Sequence, residues 1–212
     1  MDIKDVKLYR IVHIDNLDYI LRLGKLTTYN SMEADPDYKG IGESELIGLR
    51  AEHTITTLNS GNTVNPSRDY LPFYLAPRSV MLYRIQKGHK VAKIEAKDIV
   101  YLVYRLSDIL TDISYLFTDG HGYANITRWF DDTAFLHELD WEVINSTQWK
   151  NTEEDSDRQR RKQAEFWIED EISLNKIQGI AVYNEETKAK VEAICKQNNK
   201  EIEIRIVKSY YY

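Results

Sequence analysis

The chain has 212 residues, enough for one domain with a buried hydrophobic core. Its formal net charge of -6 argues against a generally basic nucleic-acid coat, and its single cysteine, Cys195, excludes a disulfide framework and a thiolate metal cluster. The residues after Met1 lack the apolar core of a signal peptide, and no apolar run is long enough to span a membrane. We therefore expect one cytoplasmic domain, residues 1–212, that is monomeric and not bound to a membrane.

The first predicted elements are a strand and a helix. Residues 8–14 alternate in character, which places Tyr9, Ile11 and His13 on one side of the strand. An apolar stripe follows at helical spacing, and Gly24 ends the predicted helix. His13 thus lies at the carboxyl end of a strand and before a helix N-terminus. A ligand contact and a structural role are both common there.

Turn-forming residues dominate the next part of the chain. Residues 26–42 are rich in Gly, Pro, Asn and Asp, and they predict a loop that either covers a site or lies on the surface. Residues 43–55 predict a short helix that carries Arg50, and residues 60–67 predict a second loop.

An aromatic segment with two prolines follows at residues 69–79. Pro72 and Pro77 disfavour a central strand and predict an extended turn. Ser79 is then expected to cap a helix over residues 80–87. The aromatic side chains of the segment either pack in a core or form a slot for a planar ring.

The remaining elements mix strands and helices without a regular order. Strands are predicted at residues 98–104, 113–118, 177–183 and 201–208. Helices are predicted within residues 125–139 and at residues 184–197. The acidic and polar residues 151–157 predict a disordered excursion. This mixture predicts an α+β domain built around one bent or split sheet.

A basic cluster stands directly before one further predicted strand, residues 164–168. The cluster consists of Arg158, Arg160, Arg161 and Lys162. The period of two places Glu165 and Trp167 on one face of the strand, and Ala164, Phe166 and Ile168 on the other. A carboxylate on a rigid strand suits a positively charged transition state, and the cations suit an anionic substrate. The alternative is an amphipathic edge strand with a solvated Glu165.

Several familiar chemistries lack their motifs. The sequence has no glycine-rich phosphate loop of the Walker or dinucleotide type and no Gly-x-Ser-x-Gly elbow. The five histidines are scattered, with no His-x-x-x-His pair, so we expect no metal site.

Five segments carry a more specific signal. They are YRIVHIDNL (9–17), LPFYLAPRS (71–79), TDG (118–120), RWFDD (128–132) and RRKQAEF (160–166). In this order they resemble the DarT family of DNA ADP-ribosyltransferase toxins.

The resemblance implies the ADP-ribosyltransferase fold, a split mixed β-sheet flanked by helices, with NAD as co-substrate and no metal. It implies Glu165 as the catalytic glutamate, together with Arg50, which would hold the NAD phosphates. The expected NAD contacts are His13, Asn16, Arg50 and Tyr74. The expected contacts with substrate DNA are His121, Tyr70, Arg158, Arg160, Arg161 and Lys162.

The leading hypothesis is an enzyme that attaches ADP-ribose to a base of single-stranded DNA, with thymidine preferred. The resemblance also implies a toxin whose mark is reversed by a macrodomain antitoxin of the DarG type. Guanosine in DNA, or RNA or protein, are alternative acceptors. A catalytically inactive nucleic-acid-binding module is the alternative from another class of protein.

Overall fold

The structure, a computed structural model, describes residues 2–42 and 54–212. Its strands are Lys7–His13 (β1), Lys25–Thr27 (β2), Ile55–Thr56 (β3), Thr63–Val64 (β4), Tyr70–Tyr74 (β5), Ile99–Arg105 (β6), Tyr115–Thr118 (β7), Trp129–Phe130 (β8), Glu165–Glu169 (β9), Glu171–Ser173 (β10), Ile177–Val182 (β11) and Ile204–Ile206 (β12). In these ranges, eight strands form a sheet in the order β12-β11-β6-β1-β5-β9-β7-β8. The sheet is mixed, because β12 pairs parallel to β11, whereas β11 with β6 and β6 with β1 pair antiparallel.

The helix boundaries follow local sequence signals. The α-helices are Leu17–Leu23 (α1), Pro66–Asp69 (α2), Val80–Lys87 (α3), Leu106–Ile109 (α4), Trp141–Asn145 (α5), Arg158–Arg161 (α6) and Glu185–Gln197 (α7). Ser79 caps α3 by accepting a hydrogen bond from the Leu82 amide, and Gly88 ends it at a φ of 69°. Asn184 caps α7. The helices predicted at residues 80–87 and 184–197 are therefore confirmed as α3 and α7. None of the described helices is long and apolar enough to cross a membrane.

An apolar layer covers each face of the sheet. Alternation along β1 sends Leu8 and Val12 into the larger core, which they share with side chains of α1 and α7. Tyr9 and Ile11 point to the opposite face and join a second core with side chains of α3. The sheet therefore lies between helices, as the α+β prediction requires.

β5, at Tyr70–Tyr74, lies in the centre of the sheet, so the prediction of an extended turn there was wrong. It pairs with β9 along its whole length. Towards β1 it makes one described pair, Tyr9 with Tyr74. Pro72 is tolerated because its missing N–H would point towards β1, where the described pairing of β5 is limited to Tyr74; on that side the Pro72 carbonyl accepts a hydrogen bond from Arg10 Nη1 at 2.7 Å. The sheet is consequently split between β1 and β5.

Three other predictions change. Residues 125–139 contain β8 and a 3-10 helix, Thr133–Glu138, instead of an α-helix. Residues 151–157 are not a disordered excursion, because two of their aspartates form ion pairs with α6. The predicted loop at 60–67 contains β4 and the start of α2. The predicted helix at 43–55 lies outside the described residues, except for its last two positions.

Candidate active site

Glu165 begins β9, which lies between β5 and β7 in the interior of the sheet. It pairs with Tyr74 of β5, and Tyr74 pairs with Tyr9 of β1. Directly opposed residues present their side chains on the same face, so these three residues form one row across the split sheet. Trp167 shares this face, as predicted. Glu165 is only 5% exposed, which excludes the solvated edge strand.

The hydroxyl of Thr118 holds the backbone of Glu165. The pairing of β7 with β9 ends at Phe117 and Phe166, so the Glu165 amide lies beyond the last pair. This amide donates to Thr118 Oγ1 at 3.0 Å, and the hydroxyl donates to the Gly120 carbonyl at 2.7 Å. Thr118 is fully buried. One side chain therefore joins Glu165 to the turn that follows β7.

The 119–128 loop, which connects β7 to β8, passes beside the Glu165 carboxylate. A Cβ at Gly122 would lie 3.4 Å from Glu165 Oε2 and 3.0 Å from the ring of Trp129. The backbone of Gly122 and the indole of Trp129 thus form a wall next to the carboxylate. A side chain at position 122 would occupy space at this wall.

His121 and Tyr70, both predicted to contact DNA, lie in different environments. His121 is half-buried in the 119–128 loop, where its Nδ1 accepts a hydrogen bond from the Tyr123 amide at 3.3 Å. Tyr70 is buried at the other end of β5. Burial, and then the charge of Glu169, raises the pKa of the Tyr70 phenol to about 12. His121 therefore belongs to the surroundings of Glu165, whereas Tyr70 is engaged by Glu169 four residues further along β9.

His13 ends β1 on the same face as Tyr9. Its Nδ1 accepts a hydrogen bond from the Asp15 amide at 3.1 Å, so the neutral ring carries its proton on Nε2. His13 is four positions after Tyr9, which is roughly 13 Å along a strand. Because Glu165 lies in the row of Tyr9, His13 and Glu165 are placed to contact different parts of one elongated ligand.

Asn16 is buried and holds the 28–42 loop. Its Nδ2 donates to the Lys39 carbonyl at 2.9 Å, and its Oδ1 accepts from the Lys39 amide at 2.8 Å. Lys39 Nζ also bonds the Asp15 carboxylate. Because the Asn16 amide pairs with backbone, we expect it to act on a ligand through the position of this loop.

The three arginines of the basic segment, residues 158–162, form ion pairs with neighbouring carboxylates. Its ion pairs join Arg158 to Asp155, Arg160 to Asp157 and Asp119, and Arg161 to Asp140, Asp155 and Asp157. Lys162 is buried and donates from Nζ to the Ile144 carbonyl at 2.5 Å, and burial lowers its pKa to about 8. The segment thus builds structure next to Glu165, and its contacts with DNA phosphates stay a prediction.

Comparisons with known proteins show the family to which the chain belongs. A family model described as "ssDNA thymidine ADP-ribosyltransferase, DarT" matches residues 9–212. The chain belongs to the DarT family. A DNA ADP-ribosyl transferase of Escherichia coli O127:H6 is 31% identical over 207 residues, which are 97% of this chain and 93% of the relative.

Two solved DarT structures from Thermus sp. 2.9 have the same fold. The complex with ADP-ribosylated ssDNA superposes with a TM-score of 0.87 at 31% identity, over 98% of this chain and 96% of that one. The complex with NAD+ gives a TM-score of 0.82 at 31% identity, over 98% of both chains. The expected fold, the enzyme class of DNA ADP-ribosyltransferases and NAD as the co-substrate of the family are confirmed.

The DarT site has one expected member that the structure does not place. Arg50 lies outside the described residues, and its contact with the NAD phosphates stays a prediction. In the described ranges, 2–42 and 54–212, no three His, Cys, Asp or Glu residues come together as a possible metal site.

Sequence reasoning gave no role to Thr118, Gly122 or Trp129. Two of these DarT residues lie in segments that carried the resemblance, TDG and RWFDD, so their positions in the motifs were the available signal. Their positions around Glu165 depend on the pairing of β7 with β8 and β9, which brings distant parts of the chain together.

Proposed function

We propose that this chain transfers ADP-ribose from NAD to a thymidine base of single-stranded DNA. The observation that carries the proposal is the buried carboxylate of Glu165, in a row with Tyr74 and beside the wall of Gly122 and Trp129. The thymidine description of the family model supports the choice of base. The Thermus complexes with NAD+ and with ADP-ribosylated ssDNA support the two substrates.

The chemistry requires a negatively charged side chain close to the reacting carbon. Loss of nicotinamide from NAD develops an oxocarbenium-like cation on the ribose, as in glycoside hydrolysis. Glu165 would accept a hydrogen bond from a ribose hydroxyl and stabilise the developing positive charge. It would also take the proton that the base nitrogen loses when this nitrogen attacks the ribose. Its position on an interior strand limits movement during these steps.

Three residues would hold NAD. The Asp15 amide donates to His13 Nδ1 and so fixes the orientation of the ring. The Nε2–H of His13 would then donate to the end of NAD distant from the reacting carbon. Tyr74 stands beside Glu165 and would stack on the nicotinamide. Arg50 would form a bidentate hydrogen-bonded contact with the pyrophosphate. Asn16 would contribute by fixing the 28–42 loop.

The acceptor would be a single strand, because a base within a duplex is hard to reach. His121 would contact this base from the 119–128 loop. We further propose that the enzyme is a monomeric cytoplasmic toxin, and that a macrodomain antitoxin of the DarG type removes its mark. The family resemblance supports this role.

The test is incubation with labelled NAD and matched oligonucleotides, followed by intact-mass analysis. The set contains single-stranded DNA in which thymidine, guanosine or both are replaced, the same sequences as RNA, and a protein mixture. We expect the mass of one ADP-ribose on thymidine-containing DNA alone. The Glu165→Gln variant serves as control and is expected to leave every oligonucleotide unmodified.

Other outcomes would change the proposal in defined ways. If only guanosine-containing DNA were modified, guanosine would replace thymidine as the proposed acceptor. Transfer to RNA or protein alone would refute the DNA substrate. Intact NAD and no transfer, with DNA binding retained, would favour the inactive binding module.

A further inference from the structure

We propose that Arg160 is a positioning residue that fixes the 119–128 loop beside the Glu165 carboxylate, instead of a contact for DNA phosphates. The inference rests on the proposed role of Glu165. It assigns to one member of the basic segment a task that its charge alone does not suggest.

The guanidinium of Arg160 is engaged on three sides. Its Nε and Nη2 each bond one oxygen of Asp157 at 2.8 Å. Its Nη1 donates to Asp119 Oδ1 at 2.9 Å and to Thr127 Oγ1 at 3.2 Å. The side chain is 15% exposed and that of Asp119 only 8%. The hydrogen bond to Asp157 also raises the pKa of Arg160. Four of its five N–H groups are therefore used within the chain, which leaves little for a phosphate.

The backbone of the loop is shaped around this side chain. A Cβ at Gly120 would lie 2.3 Å from Arg160 Nη1, so any other residue there would displace the guanidinium. The His121 amide donates to the Arg160 carbonyl at 2.9 Å. Thr127, near the end of the loop, donates to the His121 carbonyl at 2.8 Å. Arg160 thus holds both the start and the end of the 119–128 loop.

The position of this loop determines the space beside the carboxylate. Gly122 follows His121 directly, and its Cβ position is 3.4 Å from Glu165 Oε2. A displacement of about 1 Å in a reacting geometry can reduce a rate by roughly 10²-fold. Loosening the loop should therefore affect the chemical step more than the binding of DNA.

The Arg160→Lys variant separates the two roles, because lysine keeps the charge but cannot bridge Asp157, Asp119 and Thr127 together. We would measure kcat and KM for transfer, DNA affinity at several salt concentrations, and hydrogen exchange of the 119–128 amides. Arg205→Ala, at an exposed arginine of β12, is the matched control and should leave all values unchanged.

We expect Arg160→Lys to lower kcat by about 10²-fold and to speed exchange in the loop, while the DNA Kd and its salt dependence stay within twofold. Retained kcat with slow exchange would overturn the proposal. So would a weaker DNA affinity with a smaller salt dependence in Arg160→Ala, since that is the behaviour of a phosphate contact.

Two further measurements keep the test decisive. If Arg160→Lys does not fold, Thr127→Val removes one bond to the guanidinium, and an unchanged kcat in that variant would overturn the proposal. If the wild-type chain is inactive towards every acceptor, the proposed function fails, whereas the exchange of the 119–128 amides still decides whether Arg160 fixes the loop.

Discussion

The sheet has two halves that are held together in different ways. In the first half, β1 and β6 pair over seven consecutive residues. On the other side of β6, β11 and then β12 extend the sheet. In the second half, β5, β9 and β7 pair over shorter stretches, and β8 contributes two residues. The described strand pairing between the halves is one residue pair, Tyr9 with Tyr74, and the side chain of Arg10 adds a bond to the Pro72 carbonyl.

The halves also differ in the groups that stabilise them. Interlocking tyrosines cover the first half, where Tyr101 and Tyr211 have their ring centroids 5.3 Å apart at 88°. The second half has an aromatic core of its own, in which the rings of Phe117 and Phe130 stack with centroids 5.2 Å apart, and it adds hydrogen bonds from Thr118 and Arg160 next to Glu165. These hydrogen bonds can be removed one at a time, with the aromatic packing of both halves left in place. We therefore expect substitutions at the hydrogen bonds next to Glu165 to lower kcat, whereas substitutions in the first half should leave kcat unchanged.

The largest expected effect is that of a substitution at Glu165, in the second half of the sheet. Glu165→Gln keeps the shape of the side chain but removes the negative charge, so we expect transfer to fall by about 10³-fold at unchanged KM. The melting temperature should change little. Steady-state kinetics with labelled NAD measures the effect. Glu171→Gln, at an exposed carboxylate of β10, is the control, and near-normal transfer by Glu165→Gln would contradict the assignment of the catalytic group.

The next effect is the pH dependence that Lys162 adds to the second half. Burial lowers its pKa to about 8, against 10.5 in the unfolded chain. Between these values the unfolded state binds more protons, so the free energy of unfolding should rise with pH, by about 3 kcal/mol in total. Urea denaturation at several pH values would show this rise in the wild type relative to Lys162→Met. Parallel curves for the two proteins would show that the ammonium is not destabilised by burial.

A matched pair of hydroxyl deletions sharpens the comparison. Thr118→Val leaves the buried Glu165 amide without its acceptor, which should cost about 1–3 kcal/mol of stability and lower kcat at least tenfold. Tyr211→Phe removes a phenol that donates to the Ile99 carbonyl at 3.0 Å in the first half, and it should cost about 1 kcal/mol without a change in kcat. Equal losses of kcat in both variants would refute the division between the halves.

The accuracy of the sequence predictions differs in a corresponding way. The β1 strand, the ends of α3 and α7, and the two faces of β9 follow from local alternation and capping, and they are confirmed. Pro72 misled the prediction because β5 pairs with β1 at one described residue pair, so a residue without an N–H fits on that side, and no local pattern shows this. The cations of residues 158–162 suggested a free basic surface, because the carboxylates of Asp119 and Asp140 reach them only in the folded chain.

The smallest expected effect concerns Asn16, which follows β1 in the chain and holds the 28–42 loop by hydrogen bonds. Asn16→Ala removes two hydrogen bonds to the Lys39 backbone, so the loop should sample more positions before NAD binds. We expect KM for NAD to rise about tenfold, with kcat unchanged, because an ordering cost of about 1.4 kcal/mol then opposes binding. Asn198→Ala, which removes a bond to Asp18, is the control. A fall in kcat at constant KM would instead place Asn16 at the reacting centre, and the first half of the sheet would then share in the chemistry.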